Sequence, residues 1–281
     1  MLKFQNSLKY LKFAEKYIPL GSQTFSKSKL VFPEKSSPLF IKSAKGSKIY
    51  DIDNNAYIDL VSSLLPVILG YCDKNVDEAI KKQLKNGIIF SMPSTLEAKL
   101  AKMLVDTIPS AEKVRFGKNG SDCASASIRL ARSYTKKDHI ICIGYHGWED
   151  WYIGSTSRSK GVPSAVKKLT HPANYNNLES VNRILNKYKN NVAALIMEPA
   201  NFVNHDKSYF RKLQKILKIH KTLLIFDEIC TGFRFANGGA QQLFNVKPDL
   251  SVFGKSMANG MPISALVGKS KIMKHFNDVF F

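Results

Sequence analysis

From residue 113 onward, short apolar runs alternate with longer amphipathic ones. The runs KVRFG (113–117), HIICIG (139–144), AALIME (193–198), TLLIFDE (222–228), LSVFG (250–254) and SALVG (264–268) predict strands, and the stretches 121–135, 178–188 and 207–220 between them predict helices. Runs that are apolar throughout, rather than at every second residue, belong to strands covered on both faces. The predicted class is therefore α/β, a mostly parallel sheet with helices on both faces. In such sheets ligands sit beyond the carboxyl ends of the strands, so the polar residues that follow each run are the candidates for chemistry.

The first part of the chain has a different pattern. MLKFQNSLKYLKFAEKYIPLG predicts a short amphipathic helix, and in DIDNNAYID, from Asp51 to Asp59, Ile52, Tyr57 and Ile58 flank a polar Asp53-Asn54-Asn55 turn that predicts a β-hairpin. Helical patterns follow at Val76 to Lys85 and at Thr95 to Asp106. The expected division is an N-terminal helix and hairpin segment over 1–60 and one large domain over 61–281.

Composition narrows the classes of function. The 281 residues are 44% hydrophobic and 23% charged, ordinary for a globular protein and unlike a disordered one. The formal charge is +20, but only seven of the 42 basic residues are arginine and the lysines are scattered. A solvated lysine-rich surface is therefore expected, with no nucleic-acid partner. No apolar run approaches the roughly 18 residues needed to span a bilayer, and lysines at 3, 9, 12 and 16 interrupt any signal-peptide core, so no membrane partner is expected. Cys72, Cys123, Cys142 and Cys230 are far apart with no C-x-x-C pair, which argues against a metal site and for the reducing cytoplasm. A glycine-rich turn of the nicotinamide-binding type is missing as well.

The strand ends carry the chemistry. After KVRFG, Gly120, Ser121 and Asp122 open a helix, with Ser121 the expected N-cap and Asp122 at the positive end, and exposed amides there make an anion site. After HIICIG come Tyr145, His146, Gly147 and Trp148, an aromatic that can lie against a planar ligand beside a glycine that permits close approach. Glu198 follows AALIM, and Asp227 and Glu228 follow TLLIF; carboxylates in such places need partners. An Asp there serves a metal, a ribose hydroxyl or a protonated ring nitrogen. Lys255 follows LSVFG, where desolvation would favour the free amine that a Schiff base requires. A lysine, an anion cradle, an aromatic and a carboxylate at four separate strand ends are together what pyridoxal 5'-phosphate needs.

The order G-S-D before a helix, Y-H-G, E-P, FDEICTGFR and PDLSVFGKSMANGMPISALVG resembles the class III aminotransferases of fold type I, a family that includes glutamate-1-semialdehyde 2,1-aminomutases. DIDNNAYIDL and FSMPSTLE resemble its N-terminal region. The resemblance implies pyridoxal 5'-phosphate as cofactor, Lys255 as the Schiff-base lysine and Asp227 as the partner of the pyridine nitrogen. It also implies phosphate contacts from Gly120, Ser121 and Asp122, where the family more often has Gly-Thr-Glu, a stacking role for Tyr145, and a cofactor-side place for His146 and Glu198. Ser62, Ser63, Leu64, Trp148 and Glu198 are expected to line the substrate side. The implied activity is amino transfer between a small-molecule donor and a carbonyl acceptor by a homodimer, with the intramolecular aminomutase reaction or an inactive truncated fragment as alternatives. The family continues past the lysine block, so a chain ending at Phe281 is expected to lack a C-terminal small domain.

Overall fold

The computed structural model describes residues 3–200 and 207–281. The chain divides into two compact units, Met1–Ile89 and Phe90–Phe281.

In the first unit, helix α1 (Gln5–Ala14) precedes an antiparallel sheet of β1 (Ile41–Lys45), β2 (Lys48–Asp51) and β3 (Ala56–Ile58), followed by α2 (Lys74–Leu84). The predicted hairpin is the β2–β3 pair, and its polar turn has a second role. No side chain of α1 caps its own first turn, and the Asp53 carboxylate of the hairpin accepts instead from the Asn6 and Ser7 amides, at 2.7 and 2.8 Å. Further along, Ser62, Ser63, Leu64 and Leu65 all have positive φ, an uncommon run for residues that carry a Cβ. Asp59 braces this turn by accepting from the amides of Val61, Ser62 and Ser63 and from the Tyr71 hydroxyl.

The second unit begins with α3 (Thr95–Thr107), β4 (Lys113–Gly117), α4 (Gly120–Thr135) and β5 (His139–Ile143), followed by the short helices α5 (Asp150–Ile153) and α6 (Ser164–Lys167). Then come β6 (Thr170–Pro172), α7 (Leu178–Lys187), β7 (Val192–Met197), α8 (Lys207–Ile219), β8 (Leu223–Asp227) and α9 (Ala240–Phe244). The last elements are β9 (Leu250–Phe253), β10 (Ser264–Gly268) and α10 (Ser270–Met273). These strands form one sheet in the order β4-β10-β9-β8-β7-β5-β6. The pairs β6/β5, β5/β7, β7/β8 and β8/β9 are parallel, and β10 runs against both β9 and β4. Two reversals restore the direction, so β4 points the same way as β5, β7, β8 and β9, and their carboxyl ends share one edge.

Successive side chains of a strand point to opposite faces, and the core follows that alternation. Ala194 and Ile196 of β7 and Ile225 of β8 pack with Ala124, Ile128 and Leu130 of α4. Leu195 and Met197 of β7, with Leu224 and Phe226 of β8, pack with Val181 and Leu185 of α7 and with Phe210 and Leu213 of α8. Leu104 of α3 and nearby Ile108 cover Phe253, Ala265 and Val267 on that second face. The sheet is thus mostly parallel and covered by helices on both sides, the predicted α/β class. The edge strand β6 was not expected. It has three residues and ends at Pro172, too short for an apolar run to reveal.

Candidate functional site

All the sequence-predicted cofactor residues lie along the shared carboxyl edge of the large sheet. Asp227 is the last residue of β8, Lys255 follows β9 by two residues, Tyr145 and His146 follow β5, Glu198 follows β7, and Gly120, Ser121 and Asp122 form the first turn of α4.

At α4 the N-cap is Asn119 rather than Ser121. Asn119 is extended (φ −134°, ψ 166°) and its side chain accepts from the Asp122 amide, whereas Gly120 and Ser121 are already helical. Asp122 closes the capping box, its carboxylate accepting from the Lys118 and Asn119 amides at 3.1 and 3.0 Å. Two of the four orphan amides of this terminus, those of Asn119 and Asp122, are thereby satisfied. Those of Gly120 and Ser121 have no partner among the described residues and remain available to an anion.

Two glycines and one isoleucine bring the strand ends together. A Cβ on Gly120 would lie 2.9 Å from Ile229 Cδ1, and one on Gly254 would lie 3.0 Å from the same atom. Ile229 therefore wedges between the start of α4 and the backbone just before Lys255, two residues after Asp227. Gly147, at φ +98°, lets the loop after β5 settle on α4, since a Cβ there would come within 3.0 Å of Ser121 Cβ.

Asp227 is buried, and its Oδ2 stands 2.8 Å from His146 Nδ1 while its Oδ1 accepts from the Ile229 amide at 3.1 Å. His146 is 2% exposed, stacks on Trp151 and meets Tyr152 edge-on, and its Nε2 is buried without a hydrogen bond. With Asp227 ionised, Nδ1 carries the proton and donates. One carboxylate oxygen is thus held by a ring that aromatic neighbours fix, and the other by the backbone.

The neighbouring carboxylates divide into two kinds. Glu198 Oε2 accepts from the Tyr145 amide at 3.2 Å and from the Tyr175 hydroxyl at 3.1 Å, which ties the loop after β5 to the end of β7. Glu228 is fully buried and faces away from this group; it accepts from the Thr231 hydroxyl and the Ala240 and Gln241 amides, and so holds the start of α9. Burial raises its pKa, and these donors act against that.

Lys255 has φ +41°, a strained conformation for a lysine at the head of a 3-10 turn, and its Nζ donates to Cys230 Sγ at 2.8 Å. The Tyr145 ring is 62% exposed and Trp148 68% exposed, so both remain open to a ligand. Ser62, Ser63 and Leu64 belong to the first unit, where Ser63 and Leu64 line a cavity of about 520 Å³ with Asp59 and Tyr71. Sequence reasoning missed Cys230, Tyr175 and Asn119. Only Asn119 had a signal, as an Asn three residues before an acid at a helix start.

Among the described residues no group of three or more metal-ligating side chains occurs, and no helix is long and apolar enough to cross a membrane. The sequence profile of the class-III aminotransferases matches residues 31–279. The glutamate-1-semialdehyde 2,1-aminomutase of Francisella tularensis subsp. tularensis is 42% identical over 277 residues, which cover 93% of this chain and 64% of that protein. Its counterpart in Natranaerobius thermophilus is 37% identical, with 98% of this chain and 67% of that protein covered. The FumI protein of Sphingopyxis sp. MTA144, solved in its PLP internal aldimine form, superposes with a TM-score of 0.90 at 29% identity, covering 98% of this chain and 67% of that one. The chain therefore spans about 64% of the length of the first of these relatives, and it belongs to the class-III aminotransferase family.

Proposed function

We propose that the chain binds pyridoxal 5'-phosphate at the carboxyl edge of its large sheet and uses it to transfer an amino group from a small-molecule donor to a carbonyl acceptor. The observation that carries this reading is the buried Asp227–His146 pair at 2.8 Å, on the same edge as Lys255. A buried carboxylate oriented by a histidine and a backbone amide suits a protonated ring nitrogen, and the family resemblance supports the same choice.

The residues present fit the cofactor. The unpaired Gly120 and Ser121 amides, with the Ser121 hydroxyl, would hold the phosphate. The open Tyr145 ring would cover one face of the pyridine, and Glu198 would keep Tyr145 in place through its backbone amide. When bound, pyridoxal phosphate supplies an aldehyde that condenses with primary amines and a ring that accepts electron density from the substrate carbon. Asp227 holds the proton at the ring nitrogen, and His146 orients Asp227. The Lys255 amine would attach the cofactor and, when free, would act as the base that moves a proton at the substrate carbon.

An intramolecular version of the same transfer is favoured by a separate observation, the aminomutase names of the relatives at 42% and 37% identity. Two assays separate the readings. With the cofactor-loaded chain, an amino donor alone should bleach the visible absorbance and a carbonyl acceptor should restore it. Glutamate 1-semialdehyde supplied alone should be isomerised without loss of amine only if the intramolecular reading holds. A chain whose absorbance responds to neither kind of substrate would contradict both. A homodimer in the reducing cytoplasm is the setting we propose, by likeness to the family and from the four free cysteines.

A further inference from the structure

The contact between Lys255 Nζ and Cys230 Sγ, 2.8 Å across the edge of the sheet, joins the proposed attachment amine to a thiol that amino transfer does not use. The other cysteines differ from it. Cys123 and Cys142 are buried beside serine hydroxyls, and burial pushes their thiols up to about 12 and about 11. Cys72 is exposed, and its thiol meets only the Ala44 carbonyl. Burial also raises the Cys230 thiol, but the charge and hydrogen bond of Lys255 pull it back towards the thiolate. Cys230 and Lys255 are both half-buried, so a molecule as small as a peroxide can reach the pair.

We propose that Cys230 is an oxidative modification site whose product is a sulfur–nitrogen bond to Lys255, formed when the lysine amine is free of cofactor. The oxidant class is a hydroperoxide, with hydrogen peroxide the simplest. The Cys230 thiolate attacks one peroxide oxygen, an S–O bond forms as the O–O bond breaks, and the departing hydroxide takes a proton from the Lys255 ammonium, leaving as water and the lysine as the neutral amine. Sulfur has then lost two electrons and the peroxide has gained them, giving a sulfenic acid. The neutral Lys255 amine next attacks that sulfur, an S–N bond forms, the S–O bond breaks, and the hydroxyl leaves with an amine proton as a second water. Overall, thiol, amine and one hydrogen peroxide give a sulfenamide and two waters. An added thiol reverses the step by taking the sulfur into a mixed disulfide and releasing the amine. While the bond lasts, Lys255 cannot attach a cofactor.

This second consequence rests on the proposed cofactor role of Lys255, and the experiment separates the two. The full chain, without cofactor and after loading with pyridoxal phosphate, is treated with hydrogen peroxide and mapped by proteolysis and tandem mass spectrometry. In the cofactor-free sample the peptides holding Cys230 and Lys255 should appear joined, lighter by two hydrogen atoms than their sum, and dithiothreitol should part them. Cys230→Ser should abolish the joined species. Recovery of Cys230 as the unmodified thiol or as sulfinic acid, with Lys255 free, would overturn the proposal even if borohydride fixes pyridoxal phosphate on Lys255. A cross-link that forms equally with and without cofactor would leave the S–N chemistry standing and overturn the assignment of Lys255 as the attachment site.

Discussion

Asp227 is a buried carboxylate whose nearest side-chain partner, His146, is itself almost fully buried, and each is costly to bury without the other. A hydrogen bond to a charged group contributes about 1.5–3 kcal/mol, so His146→Ala should weaken pyridoxal phosphate binding by roughly 10- to 100-fold. His146→Asn, which retains a donor, should recover part of the loss. Fluorescence titration of the cofactor reads both, and equal affinities in all three chains would refute the role given to His146. At this scale the sequence was legible up to a limit. Strand-end position was enough to single out Lys255, Asp227 and Tyr145, because each follows an apolar run. It gave no hint of who touches whom. His146 and Asp227 are separated by 81 positions and Cys230 and Lys255 by 25, and only the lateral order of the strands brings them together.

Among the elements, the joints between strand ends are the sensitive places. Gly147→Val would force a branched side chain into a positive-φ position and against Ser121. It should lower stability by about 1–3 kcal/mol and cofactor affinity with it, whereas the same change at Gly161, which has φ +86° but open space, should affect stability alone. Paired denaturant and titration curves check this contrast. A second joint lies where β5 meets the edge strand β6. His139 Nδ1 and His171 Nε2 are 2.9 Å apart, and both rings stack on Tyr188. Burial, then the charges of His139 and Lys187, lower the His171 pKa from 6.5 to about 4. Between those values the unfolded chain takes up a proton that the folded chain refuses, so stability should fall as pH drops from 6.5 towards 4. His171→Gln should flatten that part of the pH–stability curve, and an unchanged slope would refute the assignment. The direction of β10 was not legible in the sequence, because SALVG is apolar whether it runs with its neighbours or against them. The run of positive φ from Ser62 to Leu65 was equally hidden, since no glycine announces it.

For the whole molecule, the alternation of apolar runs and amphipathic stretches was enough to predict a covered, mostly parallel sheet, and the core clusters on its two faces match that expectation. A ligand that binds only the folded chain stabilises it by about 2.7 kcal/mol at a concentration 100 times its dissociation constant. Pyridoxal phosphate should therefore raise the thermal midpoint of the wild-type chain and leave that of Lys255→Ala closer to its cofactor-free value. The +20 charge and the abundance of lysine add a complication. Surface amines also condense with an aldehyde, so a visible band alone does not identify the site.

The most direct measurement is therefore borohydride reduction of the chain with one equivalent of pyridoxal phosphate, followed by mapping of the labelled lysine. A visible band that reduction removes, a label concentrated on Lys255, and loss of both in Lys255→Ala are the expected results. A label spread over surface lysines, or a reducible band of equal strength in Lys255→Ala, would contradict the role given to Lys255.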